Sequence, residues 1–144
     1  MATLGGFVYL CGKLSSMVLL AQVVGSLYGL LAVVFGAFGA HALKKSFSSD
    51  QLQSFETGVR YQMYHGILLL VLGFNFNLET PLERAMIYSF VLGVLLFSFS
   101  VYGLTYSASR GRKMKFLGPI TPLGGLLLVL GWALLGYSFI RNLI

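Results

Sequence analysis

Charge is what this chain has least of. Only 10% of its 144 residues are charged, against 57% hydrophobic and 15% aromatic. A soluble domain is normally about 25% charged and about 45–50% apolar. The shortage leaves too few charges to solvate the surface of a globule of this size, so part of that surface meets lipid. Carboxylates are scarcer still, four Asp/Glu against ten Lys/Arg. No pair of them lies inside an apolar stretch, which removes paired-carboxylate catalysis. The single cysteine, Cys11, excludes an internal disulfide. With two histidines it also falls short of the three or four ligands of a zinc centre, so no metal site is expected. No Ser/His/Asp set and no glycine-rich phosphate loop appears, and the chain is not expected to be an enzyme.

What is present is apolar length. A membrane helix needs about 20 uncharged, mostly apolar residues. Four stretches free of Asp, Glu, Lys and Arg qualify or nearly so: Leu14–Leu43, Tyr61–Leu78, Ala85–Ser109 and Phe116–Ile140. The second is the shortest, but it continues a helical pattern from upstream. The fold expected is therefore all-α, an integral membrane bundle of four transmembrane helices over residues 17–144. Residues 1–16 read as an N-terminal extension of uncertain role. No basic start precedes an apolar core there, so neither a cleavable signal nor a lipoprotein site at Leu10-Cys11-Gly12 is expected.

The net charge of +6 would suggest nucleic acid in a soluble protein. In a membrane protein, basic residues mark cytoplasmic loops instead. The first and third loops carry Lys44, Lys45, Arg60, Arg110, Arg112, Lys113 and Lys115, whereas the opposite side has Lys13, Arg84 and Arg141. That bias predicts a bacterial inner-membrane protein with both termini on the non-cytoplasmic side. Its partners are then the lipid bilayer, with a larger membrane complex or a homo-oligomer as further expectations, and not nucleic acid.

Local signals divide the spans. Small residues Gly25, Gly29, Ala32, Gly36 and Ala40 recur at steps of three and four, which predicts a close-packed inner face on span 1. Ser48 with Gln51 reads as a capping box opening the second helix. Its first turns place Leu52, Phe55, Val59 and Met63 on one stripe, and Glu56 with Arg60 at ion-pair spacing. Thr80-Pro81-Leu82-Glu83 is a helix start, with Thr as cap, Pro at the first position and Glu at the third. Ser89-x-x-x-Gly93 and Gly103-x-x-x-Ser107 are further close contacts. Pro119 and Pro122 predict an irregular opening to the fourth helix, followed by close packing at Gly124 and Gly125. Trp132 and Tyr137 are expected near the outer interface.

Counted by depth, the polar residues gather at one end. His41 lies about one turn inside the end of span 1, and His65 follows Arg60 by roughly 7 Å of helical rise. Tyr102, Tyr106 and Thr121 fall at the same end of spans 3 and 4. The expectation is one cytoplasmic-leaflet cluster of His41, Arg60, Tyr61, His65 and Thr121. It would pin the helices together or hold a lipid headgroup or small polar ligand beside Arg60. Proton relay through a histidine is a weaker reading. Haem ligation by the histidine pair is weaker again, without a C-x-x-C-H attachment motif, and no cofactor is expected.

Three motifs in order carry a resemblance: Gly36-Ala37-Phe38-Gly39-Ala40-His41-Ala42-Leu43, then Thr57-Gly58-Val59-Arg60-Tyr61-Gln62-Met63-Tyr64-His65, then Ile120-Thr121-Pro122-Leu123-Gly124-Gly125 with Gly131-Trp132. From about Met17 onward the chain resembles the YgdD-like family, domain of unknown function 423, of small bacterial inner-membrane proteins. Eukaryotic transmembrane protein 256 is similar at greater distance. The resemblance implies four membrane helices and no particular activity. The leading expectation is a non-catalytic accessory or scaffold subunit of a larger assembly, or a lipid-binding protein. The alternative is a small oligomeric transporter or channel-like protein whose pathway uses His41, Arg60 and His65.

Overall fold

Long runs without proline or charge leave the backbone no cheaper arrangement than helix, and in lipid every buried N–H and C=O must be paired within the segment. The computed structural model describes residues 15–112 and 114–141, which form four helices. The N-terminal segment with Cys11 and Lys13 lies outside the described residues, as does Lys113. Helix α1 (Ser16–His41) opens under a Ser15 cap, whose hydroxyl accepts from the Met17 N–H at 3.2 Å. A 3₁₀ turn, Leu43–Lys45, carries the two lysines. Helix α2 (Ser49–Asn75) begins at the expected capping box, with reciprocal Ser48–Gln51 bonds of 2.9 and 3.3 Å. Helix α3 (Pro81–Ser109) begins at Thr80, bonded reciprocally to Glu83 at 3.0 and 3.3 Å. Between them Leu78 is buried with a left-handed backbone (φ 55°), a strain offset by tucking its side chain into the core.

After a 3₁₀ turn at Lys115–Leu117, helix α4 (Ile120–Arg141) starts with its prolines where amide protons are not needed. Pro119 precedes it, and Pro122 sits in the first turn. The Leu117 carbonyl is taken up by the Thr121 hydroxyl at 3.5 Å. The irregular opening is as expected.

Successive helices are antiparallel neighbours: α1 packs on α2, α2 on α3, and α4 on α3, with a smaller contact of α1 on α3. The apolar core runs through Ala21, Tyr28, Leu69, Leu72, Met86, Phe90, Val94 and Leu128. The outer surface is equally apolar, with Leu30, Val33, Phe74, Leu126 and Val129 each more than 60% exposed. By length and composition α1, α3 and the segment Lys115–Arg141 suffice to cross a membrane. α2 falls short of that measure on composition, although it matches them in length and runs antiparallel between α1 and α3.

Packing corrects several expected faces. Gly25 is the true close contact of α1: a Cβ there would lie 2.8 Å from the Gly66 carbonyl. A Cβ on Gly29 would meet nothing, and one on Gly36 only the Val59 side chain at 3.6 Å. The buried line of α1 runs through Ala21, Gly25, Tyr28, Ala32 and Gly39, leaving Ala40 exposed. On α2 the buried face passes through Phe55, Gly58, Gln62, His65 and Gly66. Leu52, Val59 and Met63 are only half-buried, because shape and hydrogen bonding select the inner face where lipid serves apolar residues equally well. Gly124 abuts the backbone of Phe97, whereas a Cβ on Gly125 would reach only the Phe97 ring edge at 3.9 Å. Gly93 is tight as expected, with Leu128 2.6 Å from a Cβ position.

Candidate functional site

The described structure divides the expected cluster among four separate places. His41 is exposed in the last turn of α1. His65 is buried in α2, level with Tyr28 through the Gly66–Tyr28 contact. From Tyr28 to His41 is about 20 Å of helical rise, so the two histidines share no site. Arg60 is exposed on the α1 side of α2. It lines a notch of about 290 Å³ with Gly36, Gly39, Phe55, Glu56 and Val59. Its Nε donates to the Glu56 carbonyl at 3.4 Å, in place of the expected ion pair with that carboxylate. Thr121 turns to α3, where its hydroxyl bonds Ser100 at 2.8 Å. Depth along the chain misleads here because a charged residue such as Arg60 does not by itself mark the headgroup level. A long basic side chain can lie inside that level and extend its charge outward.

Polar contacts do gather in the half of the bundle nearer the basic loops, through Tyr102, which depth along the chain places there, and through Gln62 and Ser98, which it does not single out. Gln62, fully buried, donates to the Tyr28 carbonyl at 3.0 Å and accepts from the Tyr102 hydroxyl at 2.8 Å. Ser98 donates to the Gly58 carbonyl at 2.9 Å. One glutamine thereby ties α1, α2 and α3 together. Its signal in the sequence was an amide two residues into span 2, within the second motif and three residues before His65.

His65 forms the floor of a different feature. Trp132 donates its indole N–H to His65 Nε2 at 3.3 Å, and His65 Nδ1 stands 2.7 Å from the Tyr61 carbonyl. An indole only donates and a carbonyl only accepts, so the ring carries its proton on Nδ1 and both nitrogens are engaged. Trp132, half-exposed, therefore lies at the level of His65 and Phe90 with its N–H directed at the imidazole, not at the end of α4 where an outer-interface anchor was expected. Tyr137 is exposed.

The backbones of α2 and α4 do not pack closely, and the space between them is an open groove of about 570 Å³. Tyr61, His65, Phe97, Pro122, Val129 and Trp132 are among its lining residues. Most of the lining is apolar or aromatic, with His65 and the Tyr61 hydroxyl as its polar groups. The groove also assembles the second and third motifs, since it joins Tyr61 and His65 to Pro122, Gly125 and Trp132. Only the first motif, with His41, lies elsewhere. Among the described residues no group of three or more His, Cys, Asp or Glu side chains stands together as a metal site.

Apolar surface outside, hydrogen bonds inside and helices of spanning length define a membrane protein of the α-helical class. The chain belongs to the family described as "Protein of unknown function (DUF423)", which matches residues 35–125, in agreement with the three motifs. It is similar to UPF0382 membrane proteins of bacteria. It is 34% identical to that of Haemophilus influenzae, over 81% of this chain and 90% of the relative. It is 35% identical to that of Staphylococcus epidermidis over 78% and 88%. It is 33% identical to YwdK of Bacillus subtilis over 84% and 96%. No solved structure matches.

Proposed function

We propose that this protein crosses the bacterial inner membrane four times and acts by binding lipid, without catalysis, in the groove between α2 and α4. The observation that supports the fourth crossing is the sidedness of α2. Its outward residues Tyr61, Tyr64, Ile67, Val71 and Phe74 are exposed and apolar or aromatic, while Gln62 and His65 point inward. Gln62 and His65 are thereby kept from lipid, and the exposed Arg60 can extend its charge towards the headgroups. Both termini then lie on one side, opposite Lys44, Lys45, Arg110, Arg112 and Lys115, which the Lys/Arg bias puts in the cytoplasm.

The groove carries the lipid reading. It opens laterally, its lining is apolar, and His65 is already engaged at both nitrogens. Protein extracted gently should retain a lipid on native mass spectrometry. After delipidation, returning phospholipid at about 100 times its Kd should restore roughly 2.7 kcal/mol, several degrees of Tm. A chain that holds no lipid and gains no stability would overturn the reading. An accessory or self-associating subunit is the second reading, favoured by Gly29 and Gly136, whose Cβ positions face open space. The mass of the extracted assembly tests it. A transport pathway through His41, Arg60 and His65 loses its support, since those side chains are dispersed.

A further inference from the structure

The groove has a direction, and its two ends differ in chemistry. Ser98 bonds Gly58 on α2, and Ser100, on the same helix, bonds Thr121 on α4. Arg60, Tyr61 and Pro122 therefore stand at similar height, with Tyr61 and Pro122 lining the end of the groove nearer the basic loops and Arg60 beside them on the α1 side of α2. The other end lies at Trp132, where the indole bonds His65 and Phe90 packs against Gly131. From Pro122 to Trp132 is about 15 Å of helical rise, half the roughly 30 Å hydrocarbon thickness. The groove is one leaflet deep. Phe97, Leu126, Leu128 and Val129 make its wall suited to hydrocarbon.

Arg60, at the height of this end, is exposed, and its guanidinium has donors beyond the Nε spent on the Glu56 carbonyl; the length of its side chain lets the charge reach around α2. It lines the neighbouring α1–α2 notch, next in sequence to the groove-lining Tyr61. The carboxylate on that notch belongs to Glu56. Arg110, Arg112 and Lys115 lie at the same end of the bundle and add positive potential there.

We propose that the occupant is an anionic phospholipid of the cytoplasmic leaflet, its phosphate held by Arg60 with the Tyr61 hydroxyl and one acyl chain laid along α4 to Trp132. This rests on the lipid-binding reading of the same groove.

The test uses the full-length, delipidated protein with phosphatidylglycerol and phosphatidylcholine, read by native mass spectrometry and thermal stability. Phosphatidylglycerol should bind about fivefold more tightly, the share of one basic residue near an anionic headgroup. Arg60→Gln should remove that preference while phosphatidylcholine still binds, and Arg60→Lys should keep it. Gly125→Leu fills the groove, since a Cβ there meets only a ring edge at 3.9 Å; it should abolish retention of both lipids with helical content unchanged. Equal binding of the two lipids to the wild type, or a preference surviving Arg60→Gln, overturns the headgroup assignment and leaves the groove reading standing. Retention of lipid by folded Gly125→Leu overturns the groove itself. Binding of neither lipid by the wild type overturns both.

Discussion

Gln62 shows how one polar side chain organises an apolar bundle. Its amide is fully buried and uses one end for the Tyr28 carbonyl and the other for the Tyr102 hydroxyl. Neither partner can turn to water at that depth, so each bond reports a direct helix-to-helix contact. Interhelical hydrogen bonds in lipid contribute about 0.6–2 kcal/mol each. Gln62→Leu keeps the volume roughly and removes both, and should lower stability by about 1–3 kcal/mol in a denaturing-detergent titration. An unchanged midpoint would show that the network is incidental to the fold.

At the scale of the element, glycines act according to what stands opposite them, and their spacing along the helix does not reveal it. Gly124 brings α4 against the Phe97 backbone of α3, which has no side chain to move aside. Gly124→Ala should therefore cost about 1–3 kcal/mol, the usual range for overpacking. Gly29 belongs to a small-residue repeat of the same kind, yet its Cβ position is empty. Gly29→Ala should leave stability within about 0.5 kcal/mol, or raise it slightly through helix propensity. Equal losses from the two variants would place a partner on the open side of α1.

Across the whole molecule the antiparallel order of four helices sets a parity. If α2 crosses with the others, both chain ends emerge on the same side; if it does not, they part. A reporter fluorescent only in the cytoplasm, fused after Ile144, should leave cells dark, with the basic loops inside. Bright cells would overturn the proposed orientation. The same arrangement leaves α4 leaning on α3 and largely apart from α2, and that gap is the groove.

The sequence by itself determined where the helices begin. The Ser48–Gln51 and Thr80–Glu83 boxes and the proline-broken start of α4 are local chemistry, written in residues that touch their own neighbours. It also determined the family, through motifs legible without coordinates. Only the tertiary structure decided which faces turn inward and which polar groups meet. In lipid an apolar residue is at home on either face, so periodicity pointed to Val59 and Met63 where packing chose Gly58 and Gln62. Depth was equally hidden, because Arg60 can lie inside the headgroup level and extend its charge outward. His65 consequently lies far from His41 and bonds Trp132, a contact between helices that no spacing along the chain encodes.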